Sequence, residues 1–389
     1  MSGSFVESIV KAITTVTDGP CVLHEPVFRG RELKYVTECI ETGWVSSVGS
    51  YVDRIEQDLS AYTGAKHVVA TVNGTSALHV ALVVAGVKPA DEVIVPALSF
   101  VATANAVTYC GATPHFVDVE TETMGMDADQ LLSHLEGTLE SVSGQWRNRT
   151  TGSRVAAIVP MHTFGHPCDI EGIVEIGQKY QIPVVEDAAE SLGSFRNGQH
   201  TGTFAQMGVL SFNGNKIVTS GGGGAILTND SVLAKRLKHL TTTAKVSHRW
   251  EYVHDQAGFN YRMPNLNAAL ACAQLEQLEG FIRVKRETAE RYSRAFAAID
   301  GVSLVHEPNN CMSNYWLNAI RLDDTTESFR NEILAATNDS GVMTRPCWTP
   351  INRLPMYQSC YTCNLDNTDT LFEQLINIPS GVGISQASE

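Results

Sequence analysis

The chain is short of positive charge. Its 28 lysines and arginines face 42 aspartates and glutamates, a formal net charge of −14 over 389 residues. A surface of that sign repels phosphate on average, which argues against non-specific nucleic-acid binding and adhesion to anionic membranes. Long apolar runs are missing too: nothing approaches the ~20 uninterrupted apolar residues of a membrane span. Met1 to Asp18 carries Glu7 and no continuous apolar core, so it does not read as a secretory leader. Nine cysteines, an odd number without a regular spacing, read as free thiols in a reducing compartment. Cys360-Tyr361-Thr362-Cys363 has redox or half-zinc spacing, but no second pair completes a site. There is no internal repeat and no low-complexity tract. These absences together lead to the expectation of a cytoplasmic protein.

What is present is an ordinary globular composition, 43% hydrophobic and 18% charged. The length exceeds that at which single cores stop growing, so two domains are expected: 1–264, with an N-terminal arm, and 265–389. Short apolar runs at Val68–Val72, Glu92–Val95, Pro114–Val117, Val155–Val159, Ile182–Val185, Gly208–Phe212 and Ala225–Leu227 read as buried strands. Helical patterns fall between several of them, as in Asp127–Leu135 and Ile170–Tyr180, which predicts an α/β chain with a mostly parallel sheet. Helical spacing runs from Asn265 to about Ile299, then a strand over Tyr315–Leu322 and a helix over Glu327–Thr337. The polar stretch Gly137–Gly152 reads as an exposed loop.

The run Ser211-Phe212-Asn213-Gly214-Asn215-Lys216 ends a short strand on a lysine. Upstream, Val184-Val185-Glu186-Asp187-Ala188-Ala189-Glu190 ends another on carboxylates. A lysine amine can form a Schiff base with an aldehyde cofactor, and a carboxylate can pair with a pyridinium nitrogen. Pyridoxal phosphate requires both. Alone, Lys216 could be a solvated surface residue and Asp187 a helix cap. The third element is Asn73-Gly74-Thr75-Ser76, between a strand and a helix, where amides and small hydroxyls at a helix start suit a phosphate. His162, His166, Cys168 and Asp169 hint at metal, but Thr163-Phe164-Gly165 and Pro167 read as a loop leaving a strand with no completing ligand, so no metal is expected.

These strings resemble the sugar aminotransferases of the DegT/DnrJ/EryC1/StrS family. The resemblance runs from Leu23-His24-Glu25-Pro26 to Asn377-Ile378-Pro379-Ser380. Trp44 to Gly49, Pro160 to Pro167, Ser211 to Lys216 and Gly258-Phe259-Asn260-Tyr261-Arg262-Met263-Pro264-Asn265 match its LegC-like branch best. Members of that branch aminate C4 of a nucleotide-linked 4-keto-6-deoxy sugar. The resemblance implies the aspartate aminotransferase-like fold of type I pyridoxal phosphate enzymes: a large mixed, mostly parallel sheet domain and a small C-terminal α/β domain. It also assigns the His162–Asp169 segment to a metal-free loop.

Roles follow from the resemblance residue by residue. Lys216 holds the cofactor and then acts as general acid–base between cofactor and sugar C4. Asp187 keeps the ring nitrogen protonated, and Gly74, Thr75, Ser76 and Ser211 form the phosphate cup. Phe100 stacks on the ring, though as sequence alone it reads as a core phenylalanine. Glu190 takes a position where many relatives carry His or Gln and lies beside the cofactor; a helix-start carboxylate is its alternative. Asn260 reaches the phosphate of a neighbouring subunit, which implies a homodimer with shared sites. Asn213, His239, Lys245 and Arg262 are the candidate sugar-nucleotide contacts, with His254 on the same basic stretch. The leading expectation is amino transfer from glutamate to a UDP-linked 2-acetamido-4-keto-2,4,6-trideoxyhexose, of the bacillosamine or legionaminic acid type. A GDP-linked sugar of the legionaminate or perosamine type is the alternative. A family dehydratase would carry histidine in place of Lys216, and a pyridoxal phosphate-binding regulator is the non-enzyme alternative.

Overall fold

The computed structural model describes residues 2–386, so residue 1 and residues 387–389 of the expected domain ranges lie outside the described residues. The large sheet has seven strands: β1 (His67–Thr71), β2 (Glu92–Pro96), β3 (Thr113–Val117), β4 (Val155–Ile158), β5 (Val185–Asp187), β6 (Met207–Ser211) and β7 (Gly224–Thr228). They form two ladders, β1-β7-β6-β5 and β3-β2-β4. Parallel bridges Ile158↔Val184 and Met161↔Asp187 join β4 to β5. β7 pairs antiparallel with both β1 and β6, and the other pairings are parallel, so six strands share one direction. That is the mixed, mostly parallel sheet expected.

Central strands are apolar on both faces because helices cover both. Val93 and Val95 pack with Leu82, Ala104 and Leu237, whereas Ile94 packs with Leu131, Leu135 and Ile173. Side chains set several helix starts: Asn73, Asp127 and Asp230 each accept N–H groups two or three residues on.

The strand expected over Ile182–Val185 begins later, at Val185. Pro183 has no N–H to give a ladder, and its carbonyl instead accepts from Ile158 N–H at 2.9 Å. The stretch expected as a loop holds a hairpin, Leu139–Val142 with Gln145–Asn148. Its turn residues Ser143 and Gly144 both have positive φ, 52° and 77°, the geometry that matches the twist of two-residue hairpins. The long helical stretch is two helices, Asn265–Leu275 and Leu278–Phe296. Between them the Gln277 side chain donates to the Ala273 carbonyl at 2.8 Å.

A second, antiparallel sheet holds β8 (Val302–Leu304), β9 (Asn318–Leu322), β10 (Arg345–Pro346) and β11 (Leu375–Ile378) in the order β8-β9-β11-β10. Its core joins Ile320 and Ile376 to Tyr292, Phe296 and Ile333, and also to Ile9, Ile13 and Val16 of the N-terminal helix Ser2–Thr17. The helix Asn265–Leu275 instead shares a core with Tyr35, Ile55 and Leu59 on the large-sheet side. Packing therefore crosses the 264/265 division at both ends. Among the described residues no helix is long and apolar enough to cross a membrane.

Candidate active site

Because six large-sheet strands run one way, the C-terminal ends of β1, β2, β5 and β6 open on one edge, where sheets of this kind take ligands. Each contributes to a cavity of about 290 Å³. After β1 the chain turns at Asn73, whose Oδ1 accepts the Ser76 N–H at 2.7 Å and caps the helix Gly74–Ala85. The amides of Gly74 and Thr75, in the first turn, have no intrahelical acceptor. A Cβ on Gly74 would lie 2.9 Å from Ser211 Cβ and 3.2 Å from its Oγ. Only bare backbone lets the helix start approach the end of β6 this closely. The result is a cradle of amides and a hydroxyl that suits a phosphate.

Side chains alternate along β5. Glu186 turns away from the cavity, and its carboxylate accepts the N–H groups of Gly202, Phe204 and Ala205 at 2.6, 2.8 and 2.7 Å. Asp187 lines the cavity; Thr103 Oγ1 donates to its Oδ2 at 2.7 Å and the Ala189 N–H to its Oδ1 at 3.2 Å. Burial pushes the Asp187 carboxyl above the ordinary carboxylate range, while the Thr103 bond pulls the other way.

Lys216 follows β6 in a turn. Its Nζ lies 3.2 Å from Glu190 Oε1 and 3.9 Å over the Trp316 ring. The other Glu190 oxygen accepts the Phe164 N–H at 3.0 Å. Burial raises the Glu190 carboxyl to about 7, against the opposing pull of Lys216 and the Phe164 N–H. A carboxyl that changes charge near neutrality, hydrogen-bonded to a primary amine, can exchange a proton with it.

Of the residues singled out from sequence, Gly74, Thr75, Phe100, Asp187, Glu190, Ser211, Asn213 and Lys216 line this one cavity. Ser76 does not; its amide is taken by Asn73. The basic stretch also lies elsewhere. His239 Nε2 is 2.7 Å from Asp255 Oδ1, and Lys245 Nζ sits 3.9 Å over the Tyr252 ring. His254 Nδ1 lies 2.8 Å from the Thr243 carbonyl. Asn260 is exposed and bridges Thr242 through its backbone. Arg262 lines a separate cavity of about 210 Å³ with Ser47, Lys238 and Thr242, and its buried Nε has no hydrogen-bond partner among the described residues.

Sequence reasoning missed Thr103, Trp316 and Trp348. Thr103 stands one helical turn beyond Phe100, a spacing that could have drawn notice once Phe100 was chosen. The two tryptophans come from the C-terminal third, outside any string tied to the cofactor, and enter the cavity only through tertiary packing. In the segment weighed for metal, His162 Nε2 lies 3.2 Å from Glu186 and its Nδ1 accepts the Cys168 N–H at 3.2 Å. Asp169 accepts from Arg196 at 2.7 Å.

The donor set fits pyridoxal phosphate. Amides and a hydroxyl stand ready for its phosphate, a buried carboxylate for its ring nitrogen, a lysine amine for its aldehyde and the half-exposed Phe100 for a ring face. The profile of the DegT/DnrJ/EryC1/StrS aminotransferase family matches residues 26–388. The chain is 36% identical over 365 residues to the GDP-perosamine synthase of Escherichia coli O157:H7, covering 93% of this chain and 94% of that one. It is 32% identical over 368 residues to EpsN of Bacillus subtilis, described as a putative pyridoxal phosphate-dependent aminotransferase, covering 94% and 92%. The crystal structure of the aminotransferase TlmJ from Streptoalloteichus hindustanus superposes with a TM-score of 0.84 at 29% identity, covering 93% and 94%. These likenesses favour the enzyme over a regulator that only binds the cofactor. The chain belongs to the DegT/DnrJ/EryC1/StrS aminotransferase family, as a pyridoxal phosphate-dependent sugar aminotransferase.

Proposed function

We propose that the amino acceptor is a GDP-linked 4-keto-6-deoxyhexose, aminated at C4 with glutamate as donor in the cytoplasm. One observation carries the nucleotide: the 36% identity, over 93% of the chain, to a GDP-perosamine synthase. This reverses the preference for UDP that the sequence strings suggested. The UDP-linked acetamido sugar stays as the second reading because the Trp44–Gly49 and Pro160–Pro167 strings match the LegC-like branch.

When bound, pyridoxal phosphate supplies an aldehyde that condenses with amines and a protonated ring that withdraws electrons. Asp187 holds the ring-nitrogen proton through a charge-assisted hydrogen bond, with Thr103 fixing the carboxylate. Gly74 and Thr75 amides and Ser211 Oγ bind the phosphate, while Phe100 orients the ring. The Lys216 amine, on a flexible side chain, would move the proton to and from C4 of the sugar. Glu190, at 3.2 Å, is the nearest group able to give or take the proton that Lys216 carries.

Asn260 belongs to a second copy's site in this reading. Its exposure, outside the cavity of its own chain, supports that role and with it a homodimer. Arg262, whose buried Nε is unpartnered among the described residues, is the best candidate among the basic residues for the nucleotide's diphosphate. The test is kcat/KM for GDP- and UDP-linked keto sugars with glutamate as donor. Preference for the GDP sugar supports the proposal; equal or better use of the UDP sugar overturns it in favour of the second reading.

A further inference from the structure

Two side chains that no cofactor motif contains hold the environment of the Lys216 amine. Trp316 presents its ring to Nζ at 3.9 Å, and its Nε1 donates to the carbonyl of Asn215, the residue before the lysine, at 2.6 Å. The indole therefore grips the lysine at both its backbone approach and its charged end. Asn314 connects this grip to the other amine partner. Its Oδ1 accepts the Trp316 N–H at 2.8 Å, while its Nδ2 donates to the carbonyls of Glu190 and Leu192, each at 2.9 Å. One amide thus fixes the backbone of both groups that touch Nζ, the Trp316 ring and the Glu190 carboxylate. Asn314 is 0% exposed and Trp316 4%, and the Trp316 carbonyl is held in turn by the buried Lys285 Nζ at 3.0 Å. A Cβ on Gly165 would collide with Asn314 Oδ1, so the neighbouring chain is also shaped around this amide.

We propose that Trp316 and Asn314 are positioning residues for the reactive amine: the indole face and the Glu190 carboxylate hold Lys216 Nζ between them, and Asn314 sets the spacing of the two. The proposal rests on the reading of Lys216 as the reactive amine. The indole face covers one side of Nζ at 3.9 Å, so an electrophile reaches the amine from fewer directions. Removing it exposes the amine and raises its reactivity.

The test is acylation of the cofactor-free full chain with a water-soluble amine reagent at neutral pH, quantified lysine by lysine through peptide mass spectrometry. Trp316→Leu raises labelling of Lys216 about 3- to 10-fold, whereas Trp316→Phe, which keeps a ring face, stays within about twofold of wild type. Labelling of buried Lys285 is unchanged in both. Asn314→Ser raises Lys216 labelling with Trp316 intact. Unchanged Lys216 labelling in Trp316→Leu, equal increases in the two Trp316 variants, or a parallel rise at Lys285 overturns the proposal. A separate arm reduces cofactor-bound wild type with borohydride and maps the adduct. An adduct on another lysine overturns the reading of Lys216 itself, so the two failures are distinguishable.

Discussion

Thr103 Oγ1 donates to Asp187 Oδ2 at 2.7 Å, from the helix after β2 to the end of β5. The hydroxyl stabilises the charged form of a carboxyl that burial pushes toward neutrality. Thr103→Val keeps the shape and removes the donor, so the Asp187 pKa rises further. Hydrogen bonds to charged groups contribute about 1.5–3 kcal/mol, so kcat/KM falls about 10- to 100-fold. The acid limb of the pH profile moves to higher pH. Rates measured across pH check this; an unshifted acid limb contradicts it.

Glu190 gives a stability prediction with a definite sign. Burial raises its carboxyl from 4.5 to about 7, so the folded chain keeps a proton that the unfolded chain has released. Its stabilising contribution is complete below about pH 4.5 and is lost as pH rises through about 7. Glu190→Gln does not titrate. Between those limits the wild type loses about 3 kcal/mol relative to the variant. Urea unfolding of both proteins at a series of pH values reads the difference, and parallel curves contradict the assignment.

The shared-site proposal predicts complementation. Asn260→Ala and Lys216→Ala are each severely impaired as homodimers. Mixed after subunit exchange, they form heterodimers with one intact site, restoring about a quarter of wild-type activity at equal mixing. Exchange proven by mass without recovered activity rejects the model.

The sheet was legible because buried parallel strands are continuous apolar runs, and all seven appear near their expected positions. Where Pro183 intervenes the strand starts late, at Val185, since a missing N–H moves the ladder rather than the hydrophobicity. The loop expected over Gly137–Gly152 is a hairpin for a different reason: polar, glycine-bearing sequence serves loops and tight hairpins alike. In the site, residues at strand ends converge because parallel strands bring their C-terminal ends together, and the sequence shows strand ends. Thr103 and Trp316 depend on how elements pack, which no local pattern reports. The basic residues around Lys245 and Arg262 were grouped by closeness in sequence, yet the structure sets them outside the cavity of their own chain.

The central claim is that one amine, Lys216 Nζ, both holds the cofactor and moves the proton at the sugar. Wild type and Lys216→Ala are each loaded with pyridoxal phosphate and given glutamate and the keto sugar nucleotide, and the product is followed by mass spectrometry. The account predicts a 4-amino sugar nucleotide from wild type and none from Lys216→Ala, although the variant still binds the cofactor. Sustained turnover by Lys216→Ala would contradict it.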